Sequence, residues 1–121
     1  MTPFGRRMRD LRAQRGVTLK QMAADLGVTS AYLSALEHGH RGRPSFALVE
    51  RLCSYFLLIW DDAEELHRLA QLSHPRVVVD TSGLSPKATE LANRLAERIG
   101  DLDEATLDLL LQHIPRPRGS S

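Results

Sequence analysis

Within the 121 residues, the stretch VTSAYLSALEHGHRGRPS, 28–45, carries the side chains best suited to chemistry. Its first half reads as a two-turn helix with Ser30, Ala31, Tyr32, Ser34 and Ala35 facing outward. Serine hydroxyls can bond either kind of base edge, and alanine or a tyrosine ring can pack on thymine methyls. None of the five is Arg, Asn or Gln, the residues that bond a purine edge through two atoms at once. The second half ends in Arg41-Gly42-Arg43-Pro44. Glycine lets a backbone lie close to a groove floor, proline fixes its direction, and arginine is drawn to the negative potential of a narrow minor groove. A basic loop that contacts phosphates is the alternative reading of the same four residues.

Phosphate contacts give affinity and register, whereas base contacts give specificity. Lys20, His40 and Arg41 are the phosphate candidates, joined by Thr18 and Thr29 at two helix starts whose amides can receive an anion. Base contact is assigned to Ser30, Ala31, Tyr32, Ser34, Ala35 and Arg43. Arg6, Arg9 and Arg15 add to the long-range field. Catalysis finds no footing. The five histidines are scattered, and His38 with His40 lacks a third ligand at metal spacing. Glu37 reads as a helix-end structural residue, and Cys53 as core. No nucleophile elbow, phosphate loop or acid pair is present. The expectation is a non-enzyme with no metal and no cofactor.

Bulk composition agrees with a folded polar-surfaced chain: 42% hydrophobic and 26% charged residues. The net charge of +1 conceals an asymmetry, with residues 1–60 basic and 61–121 acidic. A basic front suits a polyanion and an acidic back suits protein. The longest apolar run, Tyr55 to Trp60, is too short to span a bilayer. No secretory signal is visible, and a single cysteine excludes an internal disulfide. A cytoplasmic location is expected, with no membrane partner.

Helical spacing must position these groups. Phe4, Met8 and Leu11 mark a first helix stopped by Gly16. Thr18 and Gln21 form a capping box for a second helix through Leu19, Met22, Ala23 and Leu26, stopped by Gly27. Thr29 caps the third helix, with Leu33 and Leu36 inward and Gly39 after it. Ser45 caps a fourth helix, about Phe46 to Leu57, and Asp61 or Asp62 opens a fifth through Leu66, Leu69 and Leu72. The segment 73–85 reads as a linker, its RVVVD the sole hint of extended chain. Ser85-Pro86 starts a sixth helix with Leu91, Leu95 and Ile99 on one side. A last helix carries Leu107, Leu110, Leu111 and Ile114, and the tail 115–121 reads as disordered.

Two short helices joined by Gly27-Val28-Thr29 form a helix-turn-helix pattern. The stretch 11–53, with Ala23, Gly27-Val28, Tyr32-Leu33, Leu36-Glu37, Gly39 and Pro44-Ser45, resembles the Xre/Cro family of bacterial and phage regulators. The loop Arg41 to Pro44 resembles the core of an AT-hook. The resemblance implies a five-helix lambda-repressor-like domain over 1–72, and the helical spacing beyond it adds a two-helix segment over 86–114, so an all-α chain is expected. The resemblance also implies a third helix in the major groove of double-stranded DNA, usually in a dimer, and the whole chain is read as a homodimeric repressor. Two positions depart from the family. Leu19 stands where Gln is common, and Phe56-Leu57-Leu58 stands where a Leu-Gly turn is usual. The apolar faces of the last two helices suggest dimerisation or a protein partner. Other readings are an antitoxin whose C-terminal half binds a toxin, and an interaction adaptor that has lost DNA binding.

Overall fold

The computed structural model describes residues 1–116. Among them the regular structure is entirely helical, and RVVVD forms no strand. The chain divides into two compact units, Met1–Val77 and a second beginning at Val78. The first holds α1 (Pro3–Arg15), α2 (Leu19–Leu26), α3 (Ser30–Glu37), α4 (Phe46–Tyr55) and α5 (Trp60–Gln71). The second holds α6 (Pro86–Arg98), one turn of 3-10 helix (Ile99–Asp101) and α7 (Glu104–His113). The end of the tail, 117–121, lies outside the described residues.

Helix starts follow one rule. Thr2, Thr18, Thr29, Ser45, Ser85 and Asp103 each accept a hydrogen bond from the amide three residues on. Each thereby satisfies one of the amides that a helix start leaves unpaired. The capping box at Thr18 is only half made: the Gln21 side chain donates to Asp25 instead, at 2.9 Å. The fifth helix opens at Trp60, one residue before the expected aspartates, and Ile59 gives it no side-chain cap. Asp61 and Asp62 still fall in its first turn, where the helix dipole favours them.

Helix ends follow a second rule. After α1, α2 and α3 a glycine with positive φ is followed by a residue whose amide returns to the helix: Gly16 and Val17, Gly27 and Val28, Gly39 and His40. This is the Schellman motif. The fourth helix ends the same way without glycine. It stops at Tyr55 rather than Leu57, and Leu57 takes φ 56 while Leu58 donates to the Cys53 carbonyl at 2.8 Å. The departure from a Leu-Gly turn is therefore a change of residue at an unchanged turn.

The core of the first unit collects the inward side chains of all five helices. Phe4, Met8 and Leu11 meet Met22, Ala23, Leu26, Leu33, Leu36, Leu52 and Leu66. α3 packs on α2 and α1, and α5 packs on α1 and α4. Leu19 is partly buried against this core, so its side chain is structural. Phe46, expected on the apolar side of α4, is instead 72% exposed and stacks on His67 with ring centroids 4.7 Å apart. It sits at the first helical position, where the side chain has not yet turned inward.

Ser73, expected to open the linker, is buried in the first unit. Its hydroxyl accepts from the Phe4 amide at 2.9 Å and donates to the Leu69 carbonyl at 2.6 Å. It joins the start of α1 to the end of α5. Ser73→Ala should lower stability by about 1–3 kcal/mol, since it strands the buried Phe4 amide, while the Leu69 carbonyl keeps the Leu72 amide. Urea unfolding checks this, and an unchanged midpoint would contradict the assignment.

Candidate nucleic-acid interface

α3 is two turns long and could not persist alone in water. Its inner face is held by Leu33, Leu36 and Glu37, all buried. The remaining positions form its outer face. Ser30 and Ala31 are exposed, and Tyr32, Ser34 and Ala35 are half-buried. Tyr32 also packs against the core, so part of its ring is committed to the scaffold. Thr29 caps the helix through the Tyr32 amide at 3.0 Å. The outer face is thus small, shallow and uncharged.

Glu37 fixes the far end of α3. Its carboxylate, 1% exposed, accepts from Arg12 Nη2 at 2.8 Å, and Arg9 stands 3.8 Å away. Its carbonyl accepts from the Thr2 amide at 3.0 Å. Gly5 lies directly beneath: a Cβ there would stand 2.1 Å from the Glu37 carbonyl oxygen. Arg9, Arg12 and Arg15 are therefore partly structural, Arg15 donating to the Phe56 carbonyl at 2.6 Å. The turn between α2 and α3 is braced from α4. Arg51 donates to the Leu26 carbonyl, and Tyr55 donates to Asp25 at 2.6 Å. That hydrogen bond raises the Tyr55 pKa, with burial adding to it.

The loop after α3 begins at its Schellman turn. His40 returns its amide to the Ala35 carbonyl at 2.8 Å, and His38 Nδ1 pairs with the Ser34 carbonyl at the same distance. The loop is thereby tied to the helix bearing the base-contact candidates. His40, Arg41 and Arg43 are exposed, and Pro44 is buried. Gly42 has φ 74, and a Cβ there would meet nothing within 4 Å, so the left-handed backbone alone selects glycine. Arg43 also lines a cleft of about 350 Å³ with Phe46, His67 and Gln71. Thr18 and Lys20, at the start of α2, are exposed. Thr18 Oγ1 accepts from the Gln21 amide, leaving neighbouring first-turn amides free for an anion.

Other chemistry is poorly served. The His38 and His40 ring centroids are 6.1 Å apart, and among the described residues no third ligand-type side chain joins them. Burial, with Glu50 nearby, raises the Cys53 pKa, so its thiol stays protonated at neutral pH and unreactive. Among the described residues no helix is long and apolar enough to cross a membrane.

Sequence reasoning missed Gly5, Arg12 as the partner of Glu37, and Ser73. All three act across the fold, and only the helical placement of Glu37 carried a signal.

Comparison with known proteins bears on the same segment. A helix-turn-helix domain family matches residues 3–67. An uncharacterized HTH-type transcriptional regulator, RghRB of Bacillus subtilis (strain 168), is 41% identical over 54 residues, covering 45% of this chain and 39% of the relative. The HTH-type transcriptional repressor RghR of the same organism is 40% identical over 52 residues, covering 43% and 38%. The matched part spans about two fifths of these curated relatives. No solved structure matches.

Proposed function

The chain belongs to the helix-turn-helix domain family, and from that premise we propose that it is a sequence-specific DNA-binding transcription regulator acting as a homodimeric repressor. The observation that carries the reading is the outer face of α3, small and uncharged, tied at both ends and followed at once by a basic loop. In this reading α3 enters the major groove. Ser30, Ala31, Tyr32, Ser34 and Ala35 meet base edges, and Thr18, Lys20, Thr29, His40 and Arg41 meet phosphates. Arg43 enters the adjacent minor groove where A·T pairs narrow it. The repressor assignment follows the relative RghR, a repressor by name.

The homodimer is supported by the second unit. Leu91 and Leu95 lie along one side of α6, with Ile99 in the 3-10 turn after it, and Leu107, Leu110 and Leu111 lie along one side of α7, with Ile114 just past its end. Yet neither helix has a buried residue. A unit this short cannot be stable with its apolar stripes in water, and a second copy would cover them. A toxin or other protein partner would be the alternative cover, readable as a stable complex with a second gene product.

Selection of bound sequences from random DNA tests the whole reading. The expected product is an inverted repeat with half-site centres about one helical turn, roughly 10 bp, apart. Affinity should fall steeply with salt. Enrichment of no sequence, or of single half-sites only, would contradict it.

A further inference from the structure

The cleft beside Arg43 is built from three elements of the first unit: the end of the basic loop, the start of α4 and the last turns of α5. Its apolar side is supplied by Val49 and Ala70, both buried. Its aromatic side is the stack of Phe46 on His67, with ring planes 28° apart. Phe46 is mostly in water and does little for the interior of the unit. The His67 ring is pinned in turn, its Nε2 2.5 Å from a Glu50 carboxylate oxygen, and Glu50 does not line the cleft. Arg43 and Gln71 bring the polar groups. Among the described residues no carboxylate lies within ion-pair distance of Arg43.

An apolar lining with a few convergent polar groups is the make-up of a small-molecule site, and about 350 Å³ lies at the small end of such sites. The exposed face of an aromatic pair favours a flat ring in offset contact. A guanidinium matches the two oxygens of a carboxylate. We propose that this cleft binds a small aromatic carboxylate, its ring against Phe46 and its carboxylate on Arg43. A bare phosphate or sulfate would use Arg43 and leave the aromatic side empty. An uncharged ring would leave the guanidinium without a partner.

The position of the cleft gives such a ligand a consequence. Arg43 is also the side chain assigned to the minor groove. One guanidinium cannot hold a carboxylate in the cleft and lie in the groove at once. Ligand and DNA therefore weaken each other, by the same factor in both directions. This consequence rests on the DNA-binding reading, whereas the occupancy of the cleft does not.

The probes are benzoate and naphthoate, titrated into the full chain without DNA and followed by backbone amide and His67 ring NMR shifts. Both should saturate, naphthoate more tightly because it stacks more ring, with shifts centred on Phe46, His67 and Gln71. Cyclohexanecarboxylate keeps the charge without the flat ring, and benzamide keeps the ring without the charge. Each should bind several-fold more weakly than benzoate. Arg43→Ala should weaken naphthoate by about tenfold or more, and Phe46→Ala several-fold. Both side chains are exposed, so the fold survives either change. Anisotropy on an operator selected from random DNA reads the competition, with naphthoate replacing chloride at constant ionic strength. Operator affinity should fall several-fold as the cleft fills. The Phe46→Ala chain should start at the unmodified affinity and respond far less. Shifts that do not saturate, or that are alike for all four compounds, overturn the proposal. Saturation that leaves operator affinity unchanged overturns the competition for Arg43 and leaves the DNA-binding reading standing. A chain that saturates with naphthoate yet selects no operator overturns the DNA-binding reading and supports the cleft as a ligand site.

Discussion

Glu37→Ala should lower the stability of the first unit by about 3–5 kcal/mol, and Arg12→Ala by a similar amount. The Glu37 carboxylate is almost fully buried, and Arg12, at 14% exposure, is nearly so. Removing either leaves a charge in the interior without its closest partner, Glu37 then keeping only the more distant Arg9, and this penalty exceeds the modest net gain of the intact pair. Small domains are stable by only about 5–15 kcal/mol, so either variant approaches the folding limit. Replacing both together, as Arg12→Met with Glu37→Leu, should recover much of the loss, because no charge then stays buried. Urea unfolding of the four proteins closes the double-mutant cycle. Additive losses would show that the two side chains act independently. Gly5→Ala should be comparably damaging, since its Cβ would overlap the Glu37 backbone and push α1 from α3. DNA affinity should fall with each, because Glu37 ends the helix that carries the base-contact candidates.

The parts legible in the sequence are those governed by neighbours in the chain. Gly16, Gly27 and Gly39 mark three helix ends because a left-handed turn residue is usually glycine. The fourth helix ends two residues earlier than its spacing predicts because Leu57 occupies that conformation against its preference. The fifth starts earlier than predicted because aspartate is a strong cap signal, whereas Ile59 caps with no side chain at all. Glu37 is legible as structural from its place at a helix end, but Arg12 is 25 residues away and nothing local links them. Ser73 is 69 residues from the amide it caps. Such contacts exist only once the helices have packed. The candidate interface is legible for the opposite reason. Its outward positions follow from helical periodicity, and its basic loop is contiguous in sequence.

Arg43→Ala should weaken binding to A·T-flanked operators by about 1–3 kcal/mol, roughly 5- to 150-fold, and change binding to G·C-flanked ones far less. Arg41→Ala should instead weaken all operators nearly alike and reduce the salt slope by about 1, as expected for a lost phosphate contact. The difference follows from position. Pro44 is buried and anchors the loop at its far end, while Gly39 and His40 anchor the near end on α3. Between the anchors, Gly42 needs left-handed backbone, so Arg41 and Arg43 stand on either side of a fixed bend. A narrow A·T minor groove concentrates negative potential and favours an inserted arginine, whereas a phosphate contact feels charge alone. Arg43→Lys is the sharper variant. It keeps the charge but presents a more strongly hydrated ammonium, so it should preserve the salt slope yet lose preference for A·T. The measurement is fluorescence anisotropy on operators identical except for the flanking pairs, each titrated at several salt concentrations. If Arg43→Ala and Arg41→Ala lose affinity in parallel across every flank, the loop is a phosphate clamp, and specificity falls back on the small outer face of α3.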